Sequence, residues 1–184
     1  MMRNLRRNTL KRESDMKIIR NFATSEDLII LRDLSKNCAH IAGTRSGIYS
    51  CGTTYSLPTN LYQRLIVASE LPGGKLNGRY YSQFISYKKG GFVGAHKDWV
   101  FDASFTKELR TDADKATGPC KLYRINVMVD AASKGGELFV DGEEVKLNEG
   151  DALVFRPELC LHEVKPVIEG SRMIFTCGFH HKES

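Results

Sequence analysis

Leu122-Tyr123-Arg124-Ile125-Asn126-Val127-Met128-Val129 is the stretch whose reading decides the fold. Tyr123, Ile125, Val127 and Val129 fall on one face of an extended chain, and Arg124, Asn126 and Met128 on the other. Outward from it the same grammar repeats. Gly135-Gly136 turns the chain into Glu137–Val140, and Val145–Leu147 follows. Asn148-Glu149-Gly150-Asp151 makes a tight turn before Ala152–Phe155, and Leu161–Val164 and Arg172–Phe179 come last. Upstream, Tyr80–Tyr87 and Phe92–Val100 read as strands joined at Lys88-Lys89-Gly90-Gly91. About eight short strands with glycine turns argue for a mainly β protein.

The first third reads differently. Ile18 and Ile19 suggest a short strand. Thr24-Ser25-Glu26-Asp27 offers hydroxyl caps and first-turn acids ahead of Leu28, Ile30, Leu31 and Leu34, so a helix is predicted over about 25–38. Leu61–Ser69 reads as a second helix, ended by Leu71-Pro72-Gly73-Gly74, and residues 39–60 as loop with short strands. The expected architecture is a jelly-roll or sandwich with N-terminal helices packed outside.

At 184 residues with 41% apolar and 27% charged content, one domain is expected. We read residues 1–15 as a basic, flexible N-terminal arm and 16–184 as the domain. The net charge of +5 sits wholly in residues 1–20, where seven Lys/Arg face two acids, while the remainder balances at 20 against 20. A neutral body does not suit nucleic acid, so none is expected as a partner. No apolar run approaches the roughly 18 residues that a membrane span needs, so no membrane partner is expected either. The five cysteines, Cys38, Cys51, Cys120, Cys160 and Cys177, form no CxxC pair. Their scatter and the lack of an apolar leader suggest a cytoplasmic protein with free thiols.

Three positions carry chemistry. His96-Lys97-Asp98 sets an imidazole and a carboxylate at i and i+2, on one face if the segment is a strand. His162 lies on another predicted strand. Two histidines and one carboxylate are the donor set of the facial triad that holds Fe(II) and leaves positions open. His162 through Arg172 then reads H-x3-P-V-x2-G-x-R, placing a cation ten residues after the third donor.

With Tyr87 and the Gly90-Gly91 turn, Gly135-Gly136-Glu137-Leu138 and Gly150-Asp151-Ala152-Leu153-Val154-Phe155, these motifs resemble the 2-oxoglutarate/Fe(II)-dependent dioxygenase superfamily. The likeness is to its prolyl 4-hydroxylase-like branch, including the PKHD-type hydroxylases, over roughly residues 16–180. The resemblance implies a double-stranded β-helix core, with His96, Asp98 and His162 as the metal ligands. It implies that Arg172 holds the distal carboxylate of 2-oxoglutarate, a task suited to a guanidinium fork. Tyr87 and Thr176 join it at the co-substrate, and Asn126 and Met128 take weaker pocket roles. It implies Fe(II), 2-oxoglutarate and O2 as participants, ascorbate as a candidate reductant, and hydroxylation of an unactivated C–H bond with release of succinate and CO2.

The primary substrate stays open between a prolyl or other residue of a peptide or protein, a free amino acid, and a small metabolite. Many animal prolyl 4-hydroxylases carry Lys where this chain has Arg172, and Trp where it has Phe175 or Phe179. The nucleic-acid demethylases carry a second Arg where it has Gly178. A cupin-like metal-dependent small-molecule binding module without oxygenase activity is the alternative of another class. The polar segment 101–119, directly after the ligand strand, is the candidate substrate lid. Trp99 is read as packing, and His180-His181 as a solvated tail.

Overall fold

Why one strand should be apolar on one face and mixed on the other becomes plain from its neighbours. The structure, a computed structural model, describes residues 16–43, 47–54, 57–69, 82–98 and 120–182. The arm at 1–15, Trp99 and the segment 101–119 lie outside the described residues, as do the side chains of His180 and His181. In chain order come β1 (Met16–Ile19), α1 (Ser25–Lys36), β2 (His40–Ala42), β3 (Gly47–Ile48) and β4 (Ser50–Thr54). Then follow α2 (Thr59–Ser69), β5 (Ser82–Tyr87), β6 (Phe92–His96), β7 (Cys120–Asp130), β8 (Lys134–Gly135) and β9 (Leu138–Val140). The last are β10 (Glu143–Val145), β11 (Ala152–Phe155), β12 (His162–Val164), β13 (Val167–Glu169) and β14 (Arg172–Lys182).

Seven strands form the larger sheet in the order β1-β11-β7-β14-β5-β4-β2, and five form the smaller one, β10-β9-β12-β6-β3. A short ribbon, β13-β8, closes one end. The pairings reported between neighbouring strands are antiparallel, with crossovers between the sheets. This is the jelly-roll expected from the strand pattern, with the helices outside it.

The central strands β7 and β14 divide two cores. Ile125, Val127, Val129, Phe175 and Cys177 face outward and pack with Leu28 and Leu31 of α1 and Leu61 and Leu65 of α2. The other core lies between the sheets and holds Tyr87, Val93, Leu138, Val140, Leu153, Phe155 and Val164. A bulge lets Ile174 pair with Met128 while Met173 pairs with Asp130. Val129 and Asp130 therefore both serve the helix side, where Arg32 of α1 donates to the Asp130 carboxylate at 2.7 Å.

The start of α1 is set by its own sequence. The Thr24 hydroxyl accepts from the Asp27 N–H, and the Asp27 carboxylate accepts from the Thr24 N–H at 2.7 Å, a reciprocal capping box. The helix ends at Lys36, two residues short of the predicted end, with Asn37 as its C-cap.

One expectation needs correction. The strand read over 92–100 stops at His96, and Asp98 lies beyond it. The Asp98 N–H instead donates to the Pro157 carbonyl at 2.8 Å, in the turn between β11 and β12. His96 and Asp98 thus converge through a turn contact from another part of the chain, not through the pleat of one strand.

Leu31 is fully buried between α1 and the larger sheet. Leu31→Ala is expected to cost about 2–5 kcal/mol of folding stability, and Thr24→Ala about 1 kcal/mol. Urea unfolding of the two variants checks that order.

Candidate metal and co-substrate site

His162 opens β12 directly opposite His96, the last residue of β6. This pairing brings the imidazole centroids to 4.3 Å. Each Nδ1 sits by a backbone carbonyl two residues earlier in its own segment, His96 by Gly94 at 2.7 Å and His162 by Cys160 at 3.0 Å. A neutral imidazole bonds a carbonyl only by donating, so the proton belongs on Nδ1 and Nε2 keeps its lone pair. Asp98 Oδ1 lies 3.5 Å from His96 Nε2 and 3.8 Å from His162 Nε2.

The ligand atoms of the three residues all fall within 4.8 Å of one another. Octahedral bonds of about 2.1 Å at right angles would separate neighbouring donors by about 3 Å. The Asp98 oxygen, 3.5 and 3.8 Å from the two Nε2 atoms, stands somewhat outside that spacing, and the two nitrogens and one oxygen suit Fe(II). Burial, more than any other cause, holds the His162 pKa down to about 4, so the ring is neutral and free to ligate near pH 7. The edge of Phe155 packs on it, ring centroids 5.3 Å apart.

These imidazoles border a cavity of about 290 Å³ between the two sheets. Arg172, the first residue of β14, enters the cavity opposite Tyr87 and is only 2% exposed. Its guanidinium carbon lies 5.3 Å from the Tyr87 ring centroid. Its Nε and Nη1 have no hydrogen-bond partner. A buried cation with open donors is costly unless an anion completes it. Nε and Nη1 lie on different edges of the planar guanidinium, each edge shared with Nη2, and either edge fits a carboxylate. Gly136 makes room for the stem of Arg172. Its φ is +73°, and a Cβ there would sit 3.3 Å from Arg172 Cδ and 3.1 Å from Val167 Cγ2. Gly136 therefore shapes the pocket as well as the turn.

Tyr87 is 3% exposed and lines the cavity. Asn126 lines it too, and pairs across the sheet with Thr176. Asn126 Oδ1 and Thr176 Oγ1 are buried without hydrogen-bond partners. Thr176 is not itself among the lining residues, but its cross-strand partners on either side, Gln83 and Asn126, both are. Met128 is buried but does not line the cavity.

The sequence reading missed Arg124. It shares the inner face with Asn126, as the alternation indicates, and its Nη1 lies 2.9 Å from Asp98 Oδ2. That contact spans 26 residues and has no local signature. The Pro157 carbonyl, which fixes the Asp98 backbone, was equally invisible.

Comparison with known proteins follows the same lines. Residues 82–180 match the family described as the 2OG-Fe(II) oxygenase superfamily. A PKHD-type hydroxylase of Aliarcobacter butzleri is 34% identical over 97 residues, which is 50% of this chain and 39% of that protein. A PKHD-type hydroxylase of Stenotrophomonas maltophilia is 35% identical over 96 residues, with the same coverage. The chain thus spans about two fifths of the length of these curated relatives. Among solved structures, the viral collagen prolyl hydroxylase of Paramecium Bursaria Chlorella virus-1, as its 2OG complex, superposes with a TM-score of 0.67 at 15% identity. The match covers 91% of this chain and 96% of that one. HygX of Streptomyces hygroscopicus, with nickel, 2-oxoglutarate and hygromycin B bound, superposes with a TM-score of 0.63 at 12% identity, covering 92% and 83%. These structural likenesses show the shared jelly-roll fold. The family match, which takes in more than half of the residues, shows that the chain belongs to the 2OG-Fe(II) oxygenase superfamily.

Proposed function

We propose that this chain is an Fe(II)- and 2-oxoglutarate-dependent dioxygenase. In this reading it hydroxylates an unactivated C–H bond of a prolyl or other amino-acid residue in a peptide or protein. One observation carries the reading: the two imidazoles of the His96/Asp98/His162 cluster and the buried, incompletely bonded Arg172 border the same 290 Å³ cavity. A metal-binding module of another kind has no need of a buried guanidinium facing its metal pocket. The PKHD-type relatives and the collagen prolyl hydroxylase neighbour support the peptidyl substrate. A free amino acid or small metabolite is the second substrate reading, supported by the hygromycin B bound to HygX.

His96, Asp98 and His162 would hold the iron. When bound, the iron supplies the redox chemistry that couples decarboxylation of 2-oxoglutarate to C–H oxidation. The protein's own work is placement. Arg172 receives the distal carboxylate of 2-oxoglutarate as a charge-assisted fork, at a point where burial makes the interaction strong. The Tyr87 phenol can donate beside it, because burial pushes its pKa up to about 12 and keeps the proton in place. Asn126 supplies a further polar contact, and Thr176, paired with it across the sheet, stands next in line as a co-substrate residue. Leu138, Val164 and Ile174 form dry walls that keep bulk water from the reacting groups.

Residues 16–184 act as one catalytic domain in this proposal, with the 1–15 arm dispensable for chemistry. Ascorbate would serve to keep the iron ferrous. Cys38, Cys51, Cys160 and Cys177 are in no disulfide among the described residues, which suits a reducing cytoplasm. No helix among the described residues is long and apolar enough to cross a membrane.

A succinate-release screen over peptides, amino acids and small acids, with mass detection of one added oxygen, tests the function. Turnover is expected with a peptidyl substrate, and the absence of succinate across all three classes would reject the dioxygenase reading. His96→Ala and Asp98→Ala are expected to reduce succinate to background, and normal turnover in either would mean the triad is misassigned. Arg172→Ala is expected to raise the KM for 2-oxoglutarate by about 10- to 100-fold, the loss of one strong charge-assisted contact. Tyr87 also makes a pH prediction. Below pH 10 both folded and unfolded states keep its proton. As pH rises from 10 towards 12 only the unfolded chain loses it, so stability falls. Thermal unfolding across that range should show a shallower alkaline loss in Tyr87→Phe than in the wild type.

A further inference from the structure

Asp98 is 2% exposed, and its two oxygens have different neighbours. Oδ1 faces both imidazole Nε2 atoms, at 3.5 and 3.8 Å. Oδ2 lies 2.9 Å from Nη1 of Arg124, which reaches across from β7. Arg124 itself lines the co-substrate cavity and is about a quarter exposed. We infer that Arg124 is a positioning residue that occupies one oxygen of Asp98 and thereby reserves the other, alone, for the metal. The inference rests on the proposed assignment of the triad as the iron site.

The reason lies in counting coordination positions. A carboxylate with both oxygens free can chelate a metal through both. Two imidazoles and a one-oxygen carboxylate leave three of six positions open. A two-oxygen carboxylate leaves two. A co-substrate that chelates through two atoms, followed by O2, needs all three. Asp98 Oδ2 takes no aligned hydrogen bond, yet a guanidinium 2.9 Å away holds it as an ion pair, and that charge competes with a metal for this oxygen. Arg124 can do this because Gly178, its cross-strand partner on β14, leaves the sheet face beside it without a side chain.

The alternative is that Arg124 only neutralises a buried charge. The two accounts differ in what the metal experiences. Without Arg124, the positioning account has Asp98 close on the metal with both oxygens. Metal affinity should then change little, because a repelling cation is lost along with the clamp, while a position needed by 2-oxoglutarate is taken. A role in charge balance alone leaves the coordination of a bound metal as it is.

The test uses the full chain loaded with Co(II) or Mn(II), in wild type, Arg124→Met and Arg124→Lys. Before any 2-oxoglutarate is added, the visible Co(II) spectrum is expected to differ between Arg124→Met and wild type, and Arg124→Lys, which keeps a charged donor, to move back towards wild type. Calorimetry is expected to give Mn(II) affinities within about threefold of wild type, and a 2-oxoglutarate affinity for the Mn(II)-loaded protein about tenfold or more weaker in Arg124→Met. A Co(II) spectrum identical in all three proteins overturns the inference, even if 2-oxoglutarate binds more weakly, since that pattern marks direct contact with the co-substrate. A parallel fall in Mn(II) affinity and thermal midpoint in both variants also overturns it, as a purely structural role. Failure of the wild type to bind Mn(II) or Co(II) instead rejects the triad assignment beneath it.

Discussion

The antiparallel pairing of β6 with β12 is the constraint on which the site depends. It sets His96 and His162 directly opposite each other at one end of the smaller sheet. Strand register is set by which residues must be buried, and a slip of one residue would turn an imidazole to the other face. Val93 and Val164, both buried in the inter-sheet core, pair on the same two strands, and a bulge between that pair and the imidazoles shifts the register by one residue. The turn between β11 and β12 then completes the cluster from the other side. Its Pro157 carbonyl takes the Asp98 N–H, and its Cys160 carbonyl takes the His162 Nδ1 proton. One short turn thus orients two of the three donors.

The larger sheet solves a different problem. It must bury an apolar face against helices and present a polar face to a cavity. The alternation in β7 and β14 does both at once, with Ile125, Val127 and Phe175 on the helix side and Arg124, Asn126, Arg172 and Thr176 on the other. The polar side is expensive. Arg172, Asn126 and Thr176 all carry buried atoms without hydrogen-bond partners, a cost that a protein tolerates where a ligand completes the set. The outer core supplies the stability that allows this, with Leu31, Leu61, Phe84 and Phe175 fully buried in it. The division of labour explains why the helices stand outside the sheet, away from the cavity.

Much of this was legible in sequence, and the exceptions have physical causes. Strand alternation over Leu122–Val129 sorted the two faces of β7 correctly, and the jelly-roll with outer helices followed from it. The capping residues located the start of α1. His96, Asp98, His162 and Arg172 were readable as residue types in a spaced motif, and the fold brings His96, His162 and Arg172 to one cavity with Asp98 beside the imidazoles. What was not legible depends on contacts between distant segments. The β6 strand ends early because Asp98 is held by Pro157, 59 positions away. The Arg124–Asp98 contact joins β7 of the larger sheet to the segment that follows β6. The bulge at Met173/Ile174 that separates Asp130 from Met128 has no signature in a glycine or proline. The short strands β8 and β13 pair with Gly135, at φ +76°, so close to the backbone of Pro166 and Ile168 that no side chain would fit there.

The central claim is that Arg172 and the His96/Asp98/His162 cluster bind one small molecule between them, at its two ends. Anaerobic titration of the Fe(II)-loaded protein with 2-oxoglutarate, followed by visible absorption, measures this directly. The account predicts a weak charge-transfer band that saturates with one equivalent per chain, and that needs far more 2-oxoglutarate to develop in Arg172→Ala. The absence of a band at high protein concentration, or a band whose concentration dependence is unchanged in Arg172→Ala, would contradict it.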